Sequence, residues 1–278
     1  MNRICSTISN KRLDVYISEI FNISRRKAAF LINNGHVKVN NKTVQKSYLI
    51  KKGDILFLNL KKFGTKLNYD SLKIVWENNR LMAIYKPEKF HSAKLFKSQY
   101  SVEDYIESLN NRFVLLNRLD YNTSGILLVS KDDEFSIKYK EIEENLEVEK
   151  FYIGVLKNRL EKYIVVQNSI DSKHRKKVKV LSSKSNENIT HIEPIAIYRD
   201  FSIANIKIFK GARHQIRAHL SYIKFPLLFD ALYNDDVCGD TSDYFLFCYR
   251  YRVKSIGIDI SIYHILKDKL RKFLEKIV

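Results

Sequence analysis

Two apolar runs that flank a short polar turn, in the segment from Leu115 to Val129, constrain the fold of this chain more than any other feature. Apolar runs of this kind are typical of buried elements, and the turn between them contains Asp120, Asn122, Ser124 and Gly125. Side chains of these types are common in turns. The pattern therefore allows two interpretations of Asp120. Its side chain bonds its own backbone in an Asx-turn, or it is a functional carboxylate.

Length and charge limit the class of protein. The chain has 278 residues, of which 45% are hydrophobic and 12% aromatic, enough for one large or two smaller globular domains. Its net charge is +18, and residues 1–62 carry 13 Lys or Arg against 3 acidic residues. Such a charge attracts a polyanion, either nucleic acid or an acidic membrane. Codon bias toward Lys, Asn and Ile also raises the charge, but its concentration in the first 62 residues favours nucleic acid.

The cysteines and the hydropathy pattern indicate a cytosolic protein. Cys5, Cys238 and Cys248 are odd in number and lack a CxxC spacing, so they predict neither a disulfide framework nor a zinc knuckle. No apolar run approaches the roughly 18 residues that span a bilayer, and the first dozen residues lack the apolar core of a signal peptide. We expect a cytoplasmic protein that does not enter a membrane.

The first 60 residues predict two helices followed by strands. Apolar residues at helical spacing between residues 13 and 21 predict a short helix, and Ser24 is a candidate N-cap for a second helix over Arg25 to Asn33. The alternation from His36 to Lys42 predicts a strand and a turn, and Ile55 to Leu60 predicts another strand. The unit is therefore small and of mixed α/β type.

These residues resemble the small RNA-binding domain first recognised in ribosomal protein S-four. The resemblance is carried by Arg12-Leu13-Asp14, Ser24-Arg25, Gly35-His36-Val37-Lys38-Val39-Asn40 and Gly53-Asp54-Ile55. It implies that residues 1–62 grip the phosphates and sugars of folded RNA by shape. The expected RNA-binding residues are Arg25, Arg26, Lys27 and Lys38, although any one of them taken alone is typical of a solvated surface charge.

A second domain is predicted over residues 73–278, after a linker over residues 63–72. Ile74 to Trp76 and Leu81 to Tyr85 predict two strands about a polar turn, and a proline follows the second strand. Strands and helices then alternate up to a C-terminal helix over about Tyr263 to Lys276. This order predicts an α+β fold with much antiparallel sheet.

The turn at Asp120 resembles the signature of the RluA-type pseudouridine synthases, His-Arg-Leu-Asp-x-x-Thr-Ser-Gly. The matching residues are Arg118, Leu119, Asp120, Thr123, Ser124 and Gly125, with Asn117 in place of the His. Three more blocks of that family follow in order: Lys150-Phe151-Tyr152, Gly211 to Leu220, and Pro226 with Asp230 and Tyr233. The matches extend over most of residues 80–250.

The resemblance implies a pseudouridine synthase core with a central, mostly antiparallel mixed sheet, preceded by the small α/β RNA-binding domain. It also implies the isomerisation of uridine in RNA to its C-glycoside, without a cofactor or a metal. Asp120 is then the catalytic carboxylate, as a nucleophile or as a base acting on the sugar. Arg217 is the cation that keeps Asp120 ionised and aims it. Tyr152 is typical of a strand core, but the resemblance implies that it stacks on the target base and assists proton removal.

Further contacts with RNA are implied around the target nucleotide. Extruding a base from its stack costs a few kcal/mol, and by resemblance Arg118 fills the vacated place. Arg213 and Arg217 are four residues apart, so on a helix they share a face and each needs an anion. Arg213 and His214 are expected to bind RNA. The spacing of His214 and His219 is too weak a pattern for zinc, and we expect no metal site.

Several positions depart from the family pattern. Ala212-Arg213 replaces Arg-Thr, and Phe247-Cys248 stands where His-Ala is usual. Asn117 can still donate a hydrogen bond, whereas Phe229, in place of a Gly, is expected not to adopt a positive φ.

Family members with this N-terminal domain mostly modify large-subunit ribosomal RNA. The resemblance therefore implies that substrate, with transfer RNA as the second choice. Nothing in the sequence demands more than a monomer, which is the expected state. A non-catalytic RNA-binding or ribosome-assembly factor built on the same scaffold is the alternative that the sequence leaves open.

Overall fold

A computed structural model describes residues 2–21, 25–33, 35–58, 69–94, 101–171, 173, 176–238 and 243–277. The chain divides into two compact units: Met1–Asn68 with Lys94–Tyr100, and Tyr69–Ala93 with Ser101–Val278. Among the described residues, no helix is both long enough and apolar enough to cross a membrane.

The first unit is built on two helices and short antiparallel strands. Its elements are β1 (Asn2–Cys5), β2 (Lys11–Arg12), α1 (Leu13–Ile20), α2 (Arg25–Asn33), β3 (Val37–Val39), β4 (Leu49–Ile50) and β5 (Ile55–Leu58). The strands pair in the order β1-β5-β3, and β2 pairs with β4. Leu13 and Ile17 lie one turn apart on α1, and they are fully buried with Ala28 of α2 and Leu56 of β5. The two helices therefore cover the sheet with their apolar faces.

The second unit has a large central sheet flanked by helices. Its elements are β6 (Lys73–Glu77), β7 (Leu81–Lys86), α3 (Val102–Leu109), β8 (Val114–Leu115), β9 (Ser124–Ser130), α4 (Asp133–Glu144), β10 (Val148–Lys157), β11 (Ile164–Val166), β12 (Asn168–Asp171), β13 (Lys179–Lys184), β14 (Thr190–Ile197), β15 (Phe201–Ile208), α5 (Gln215–Tyr222), β16 (Leu246–Val253), β17 (Ile258–Ser261) and α6 (Tyr263–Leu274).

Within the described residues, ten strands form this sheet in the order β11-β14-β15-β10-β16-β9-β7-β6, with β17 beside β16 and β8 beside β9. These pairs are antiparallel except for β9 with β16, which is parallel. Strands β12 and β13 form a separate antiparallel hairpin. The predicted α+β class with a mostly antiparallel mixed sheet is confirmed.

The apolar run that follows the Asp120 turn forms the centre of the sheet. Every residue of β9 and of its neighbour β7 is buried, as expected of near-continuous apolar strands covered on both faces. Gly125 of β9 pairs with Cys248 of β16 and has φ +125°. A Cβ at this position would lie 2.2 Å from the Cys248 carbonyl oxygen, so only glycine allows the two strands to approach here.

Candidate active site

The loop between β8 and β9 is held rigidly on both sides of Asp120. On one side, the Ser92 hydroxyl donates to the Leu119 carbonyl at 2.8 Å and accepts from the Leu119 amide at 3.0 Å. On the other side, the fully buried Lys86 donates to the Tyr121 carbonyl at 3.3 Å. The position of Asp120 is therefore set by one side chain at the end of β7 and one in the segment that follows it.

The carboxylate of Asp120 takes no part in closing its own turn. The Asp120 backbone carbonyl accepts from the Thr123 amide at 3.1 Å. The carboxylate instead accepts from Nη1 of Arg217 on α5, with 3.0 Å between Nη1 and Oδ2. The two residues are 97 positions apart in sequence, so the fold brings together the acid and the guanidinium that the sequence analysis paired.

Arg217 also binds a second carboxylate. Its Nε donates to Asp230 Oδ2 at 2.8 Å and its Nη2 to Asp230 Oδ1 at 2.9 Å. Its Cζ lies 4.9 Å from the ring centre of Tyr233 and 4.8 Å from that of Tyr244. Burial opposes the charge of Arg217, but the hydrogen bonds to Asp230 and the nearby Asp120 raise its pKa above the ordinary value. Arg217 is thus a permanent, immobilised cation.

His214 forms the start of α5 in a left-handed conformation, with φ +55°. Its Nε2 lies 3.9 Å from Asp120 Oδ1, and its Nδ1 lies 3.0 Å from the Tyr233 hydroxyl. Burial lowers the pKa of His214, with Asp120 opposing and Arg217 reinforcing that effect. A neutral imidazole therefore faces one carboxylate oxygen of Asp120, while Arg217 faces the other.

Tyr152 of β10 combines the two roles that its sequence context left open. It is 5% exposed and belongs to the core, yet its side chain also lines the cavity at Asp120. Burial raises the pKa of Tyr152 well above its usual value, and the neighbouring Cys248 and Asp120 add to the effect. The free protein therefore holds Tyr152 as a neutral phenol.

The site contains a small open cavity of about 70 Å³, and Asp120, Tyr152, His214 and Arg217 all contribute to its wall. It is lined by Arg118, Leu119, Asp120, Thr123, Tyr152, Ile208, Gly211, Ala212, His214, Gln215, Ile216, Arg217 and Leu246. Asp120 is 26% exposed at its side chain, and Arg118 is exposed. The carboxylate is therefore open to solvent on one side and bonded to a fixed donor, Arg217, on the other.

Comparisons with known proteins decide the family. The profile described as RNA pseudouridylate synthase matches residues 80–222, just over half of the chain, and these include Asp120, Tyr152 and Arg217. The chain belongs to the RNA pseudouridylate synthase family. The profile of the S4 domain, the module first recognised in ribosomal protein S-four, matches residues 11–56 of this synthase. Both resemblances drawn from the sequence are confirmed, and the chain is an isomerase acting on RNA.

The synthase is similar to several curated proteins. It is 30% identical to an uncharacterized RNA pseudouridine synthase of Helicobacter pylori (strain J99 / ATCC 700824), covering 77% of this chain and 82% of that protein. It is 24% identical to ribosomal large subunit pseudouridine synthase C of Buchnera aphidicola subsp. Baizongia pistaciae, covering 83% and 79%. It is 25% identical to the mitochondrial tRNA pseudouridine(32) synthase of Saccharomyces cerevisiae, covering 83% of this chain and 52% of that protein.

A solved structure shares the fold. Human RNA pseudouridylate synthase domain containing 4 superposes with a TM-score of 0.55 at 16% identity, covering 68% of this chain and 87% of that chain. The α+β core of this synthase therefore has the fold of a solved pseudouridylate synthase.

Three expectations about individual residues of the synthase are wrong. Helix α5 begins at Gln215, so Arg213 precedes it and does not share a helix face with Arg217; its Nη2 donates instead to the Lys176 carbonyl at 3.3 Å. Asn117 does not donate: its Oδ1 accepts from the Leu128 amide at 2.7 Å, and its buried Nδ2 has no partner among the described residues.

The third wrong expectation concerns Phe229, which does adopt a positive φ, of +64°. Its ring packs 6.2 Å from that of Phe273 on α6, centre to centre. We attribute the tolerance of this conformation to that packing, which offsets the strain of a non-glycine residue in the left-handed region.

The histidine pair named in the sequence is not arranged around a common metal. Both ring nitrogens of the fully buried His219 are engaged, Nδ1 with the Thr190 hydroxyl at 2.8 Å and Nε2 with the Asn168 carbonyl at 2.9 Å. Within the described residues, no group of three or more His, Cys, Asp or Glu is placed to hold a metal ion.

The RNA-binding residues expected in the first unit are described in part. Arg25 begins α2 and is 61% exposed at its side chain, while its Nη2 donates to the buried Asp14 at 3.2 Å. Lys38 lies on β3. Ser24 and the side chains of Arg26 and Lys27 lie outside the described residues.

Four residues of the site escaped a functional assignment from sequence. Asp230 and Tyr233 stood in the family pattern without a role, and Tyr244 and Lys86 were not singled out. The sequence did hold a signal for Lys86: Pro87 marks Lys86 as the last residue of an apolar strand. A lysine at the end of a buried strand needs acceptors for its ammonium group. Tyr244 had no signal, because its contact with Arg217 depends on tertiary packing.

Proposed function

We propose that this synthase isomerises specific uridines of large-subunit ribosomal RNA through the carboxylate of Asp120. Residues 1–62 serve as the RNA-binding domain, residues 63–72 as the linker and residues 73–278 as the catalytic domain of a cytoplasmic monomer. The observation that carries the proposal is the contact of Asp120 with Arg217 in a cavity that Tyr152 also lines. The name of the Buchnera relative supports the choice of large-subunit ribosomal RNA.

The reaction rearranges one bond of the nucleotide. The bond between the ribose anomeric carbon and N1 of uracil breaks, the base turns, and C5 bonds to the same carbon. The C5 proton then leaves and N1 gains a proton, so atoms and charge balance without an oxidant, a reductant or water.

Asp120 acts on the sugar, as a nucleophile at the anomeric carbon or as a base. It must be anionic at the start, which requires fixed donors in a closed site. Arg217 supplies such a donor at 3.0 Å, and its bidentate pair with Asp230 prevents it from turning away. Asp230 is fully buried, so it acts through Arg217 as a positioning residue.

Tyr152 stacks on the uracil and assists removal of the C5 proton. Burial and the nearby Cys248 and Asp120 raise the pKa of Tyr152. Asp120 loses its charge when it is bonded to the sugar, and this lowers the pKa of Tyr152. The phenolate of Tyr152, the form that can accept the C5 proton, is then easier to reach. Arg118 is exposed at the mouth of the cavity, and it fills the space of the extruded nucleotide.

The RNA-binding residues of the first unit hold the substrate by its backbone. Arg25, Arg26, Lys27 and Lys38 contact phosphates and sugars, with Arg213 and His214 as contacts nearer to the target. Binding through phosphates is weakened by salt, whereas the isomerisation step at saturating RNA is not expected to follow the same dependence.

Tritium release tests the activity and the substrate together. RNA labelled with [5-³H]uridine is prepared from cells that lack this gene, and its large-subunit ribosomal RNA and transfer RNA are incubated separately with the protein. Release from ribosomal RNA supports the proposal. Release from transfer RNA alone, as the name of the yeast relative suggests, overturns the substrate. Absence of release from both favours a non-catalytic RNA-binding role.

A further inference from the structure

The hydroxyl group of Tyr233 links the β12–β13 hairpin to the catalytic carboxylate. The backbone amide of Val178, just before β13, donates to this hydroxyl at 2.9 Å. The same oxygen lies 3.0 Å from Nδ1 of His214. Tyr233 itself is 2% exposed, so no solvent competes for its hydroxyl.

The directions of these hydrogen bonds follow from the donor inventory. The amide of Val178 can only donate, so the Tyr233 oxygen accepts from it. Among the described residues, Nδ1 of His214 is the one acceptor within hydrogen-bond distance of this hydroxyl, so the single phenolic proton is assigned to that contact and Nδ1 accepts it. A neutral imidazole that accepts at Nδ1 carries its proton on Nε2, and burial lowers the pKa of His214 and so favours the neutral form.

The protonated Nε2 of His214 faces the reacting group. It lies 3.9 Å from Asp120 Oδ1, longer than a hydrogen bond but within the separations that sites show before substrate binds. Arg217 occupies the other oxygen, Oδ2, at 3.0 Å. In the opposite tautomer, His214 would present a lone pair to the carboxylate and repel it.

We infer that Tyr233 is a positioning residue, which fixes His214 in the tautomer whose Nε2 proton is directed at Asp120. The inference rests on the proposed role of Asp120 and adds to it a second donor for the carboxylate, set by a backbone amide of the hairpin. The aromatic ring of Tyr233 has a separate role, since Arg217 Cζ and Lys177 Nζ lie 4.9 and 5.4 Å from its centre. Removal of the hydroxyl alone therefore separates the two roles.

Tyr233→Phe is the variant that tests this inference, because it keeps the ring and deletes the hydroxyl. Its single-turnover rate at saturating RNA should fall about tenfold, the equivalent of one hydrogen bond. Its Kd for RNA should stay close to that of the wild type, and its Tm should fall by only a few degrees, because the buried Val178 amide loses its acceptor. An unchanged rate overturns the inference, and so does a rate loss that is fully explained by weaker RNA binding or by unfolding at the assay temperature.

A double-mutant cycle with His214→Ala tests whether the hydroxyl acts through His214. If it does, the double variant is no slower than His214→Ala alone. Rate losses that multiply independently contradict the inference.

A readout on the free protein does not depend on turnover. The ¹⁵N shifts of the imidazoles report which nitrogen carries the proton, and His214→Ala identifies the His214 signals. We expect His214 to have its proton on Nε2 in the wild type and a mixture of tautomers in Tyr233→Phe. His219 is the internal control, because its Nε2 faces the Asn168 carbonyl and must donate in both proteins. If His214 of the wild type carries its proton on Nδ1, the inference is wrong even if the protein is active. If His214 has the expected tautomer but the protein shows no turnover, only the proposed function is wrong.

Discussion

Arg217 gives two of its three guanidinium nitrogens to Asp230, with Nε 2.8 Å from Oδ2 and Nη2 2.9 Å from Oδ1. Its third nitrogen, Nη1, is left for Asp120 at 3.0 Å. Arg217 is 6% exposed and Asp230 is fully buried. One guanidinium therefore joins a buried carboxylate, which fixes its orientation, to a partly exposed carboxylate that meets the substrate.

Asp230→Asn should reduce both stability and turnover. An amide accepts one of the two hydrogen bonds and presents its own donors to the guanidinium, so a buried charge loses its partner at a cost of about 3 kcal/mol. Misorientation of Arg217 should lower the rate of tritium release about 100-fold. Asp200→Asn, at an exposed position after β14, is the control in urea unfolding and activity assays. Activity within twofold of the wild type would refute the positioning role of Asp230.

Gly125→Ala should destabilise the second unit severely. The added Cβ would lie 2.2 Å from the Cys248 carbonyl oxygen, and neither strand can shift without breaking the centre of the sheet. We expect a loss of about 4 kcal/mol or failure to fold. Gly257→Ala is the matched control, because Gly257 also has a positive φ, of +67°, but nothing lies within 4 Å of its added Cβ. Equal losses in thermal unfolding of the two variants would show that backbone conformation, and not the strand contact, requires Gly125.

Lys86→Met should lower stability in a manner that depends on pH. Lys86 Nζ donates to the carbonyls of Pro87 at 2.9 Å, Phe90 at 2.8 Å and Tyr121 at 3.3 Å, and methionine leaves all three unsatisfied. Burial lowers the pKa of Lys86 to about 7. Between that value and its ordinary value of 10.5, the unfolded chain binds a proton that the folded chain does not, so folding is favoured as the pH rises.

The wild type should therefore gain stability over Lys86→Met between pH 7 and pH 9, by up to about 1 kcal/mol per pH unit. Urea unfolding of both proteins at the two pH values measures this difference. A difference that does not change with pH would mean that the three carbonyls keep Lys86 charged throughout that range.

Arg118→Ala should reduce turnover and leave the fold intact. Arg118 is exposed and lines the cavity, so truncation removes no core contact. If its side chain fills the place of the extruded nucleotide, the single-turnover rate falls by about 10- to 100-fold. Arg112→Ala, at an exposed position before β8, should retain the wild-type rate. An equal effect of both substitutions would indicate a general loss of positive charge.

Local patterns predicted much of the fold. The strands Lys73–Glu77 and Leu81–Lys86 and the helix Tyr263–Leu274 coincide closely with the predicted elements, because apolar periodicity and a following proline determine them locally. The start of α5 was not predictable in this way. His214 takes a left-handed conformation at the start of the helix, which leaves Arg213 outside it, and its side chain contacts Tyr233 from a distant part of the chain.

The site was predictable only where a family pattern supplied the pairing. Periodicity does not relate Asp120 to Arg217, 97 residues away, and only the resemblance paired them. The contacts of Tyr244 with Arg217 and of Tyr233 with Val178 join segments that come together through tertiary packing. Neither the positive φ at Phe229 nor its ring contact with Phe273, a residue of another element, could be predicted from local sequence.

Asp120→Asn is the decisive test of Asp120 as the catalytic carboxylate. The substitution keeps the size of a side chain that is 26% exposed, so RNA affinity and Tm should stay near the wild-type values, while tritium release in a single turnover at saturating RNA becomes undetectable. Release at a rate within tenfold of the wild type would exclude a catalytic role of Asp120, and so would a loss of activity fully explained by lost RNA binding or unfolding.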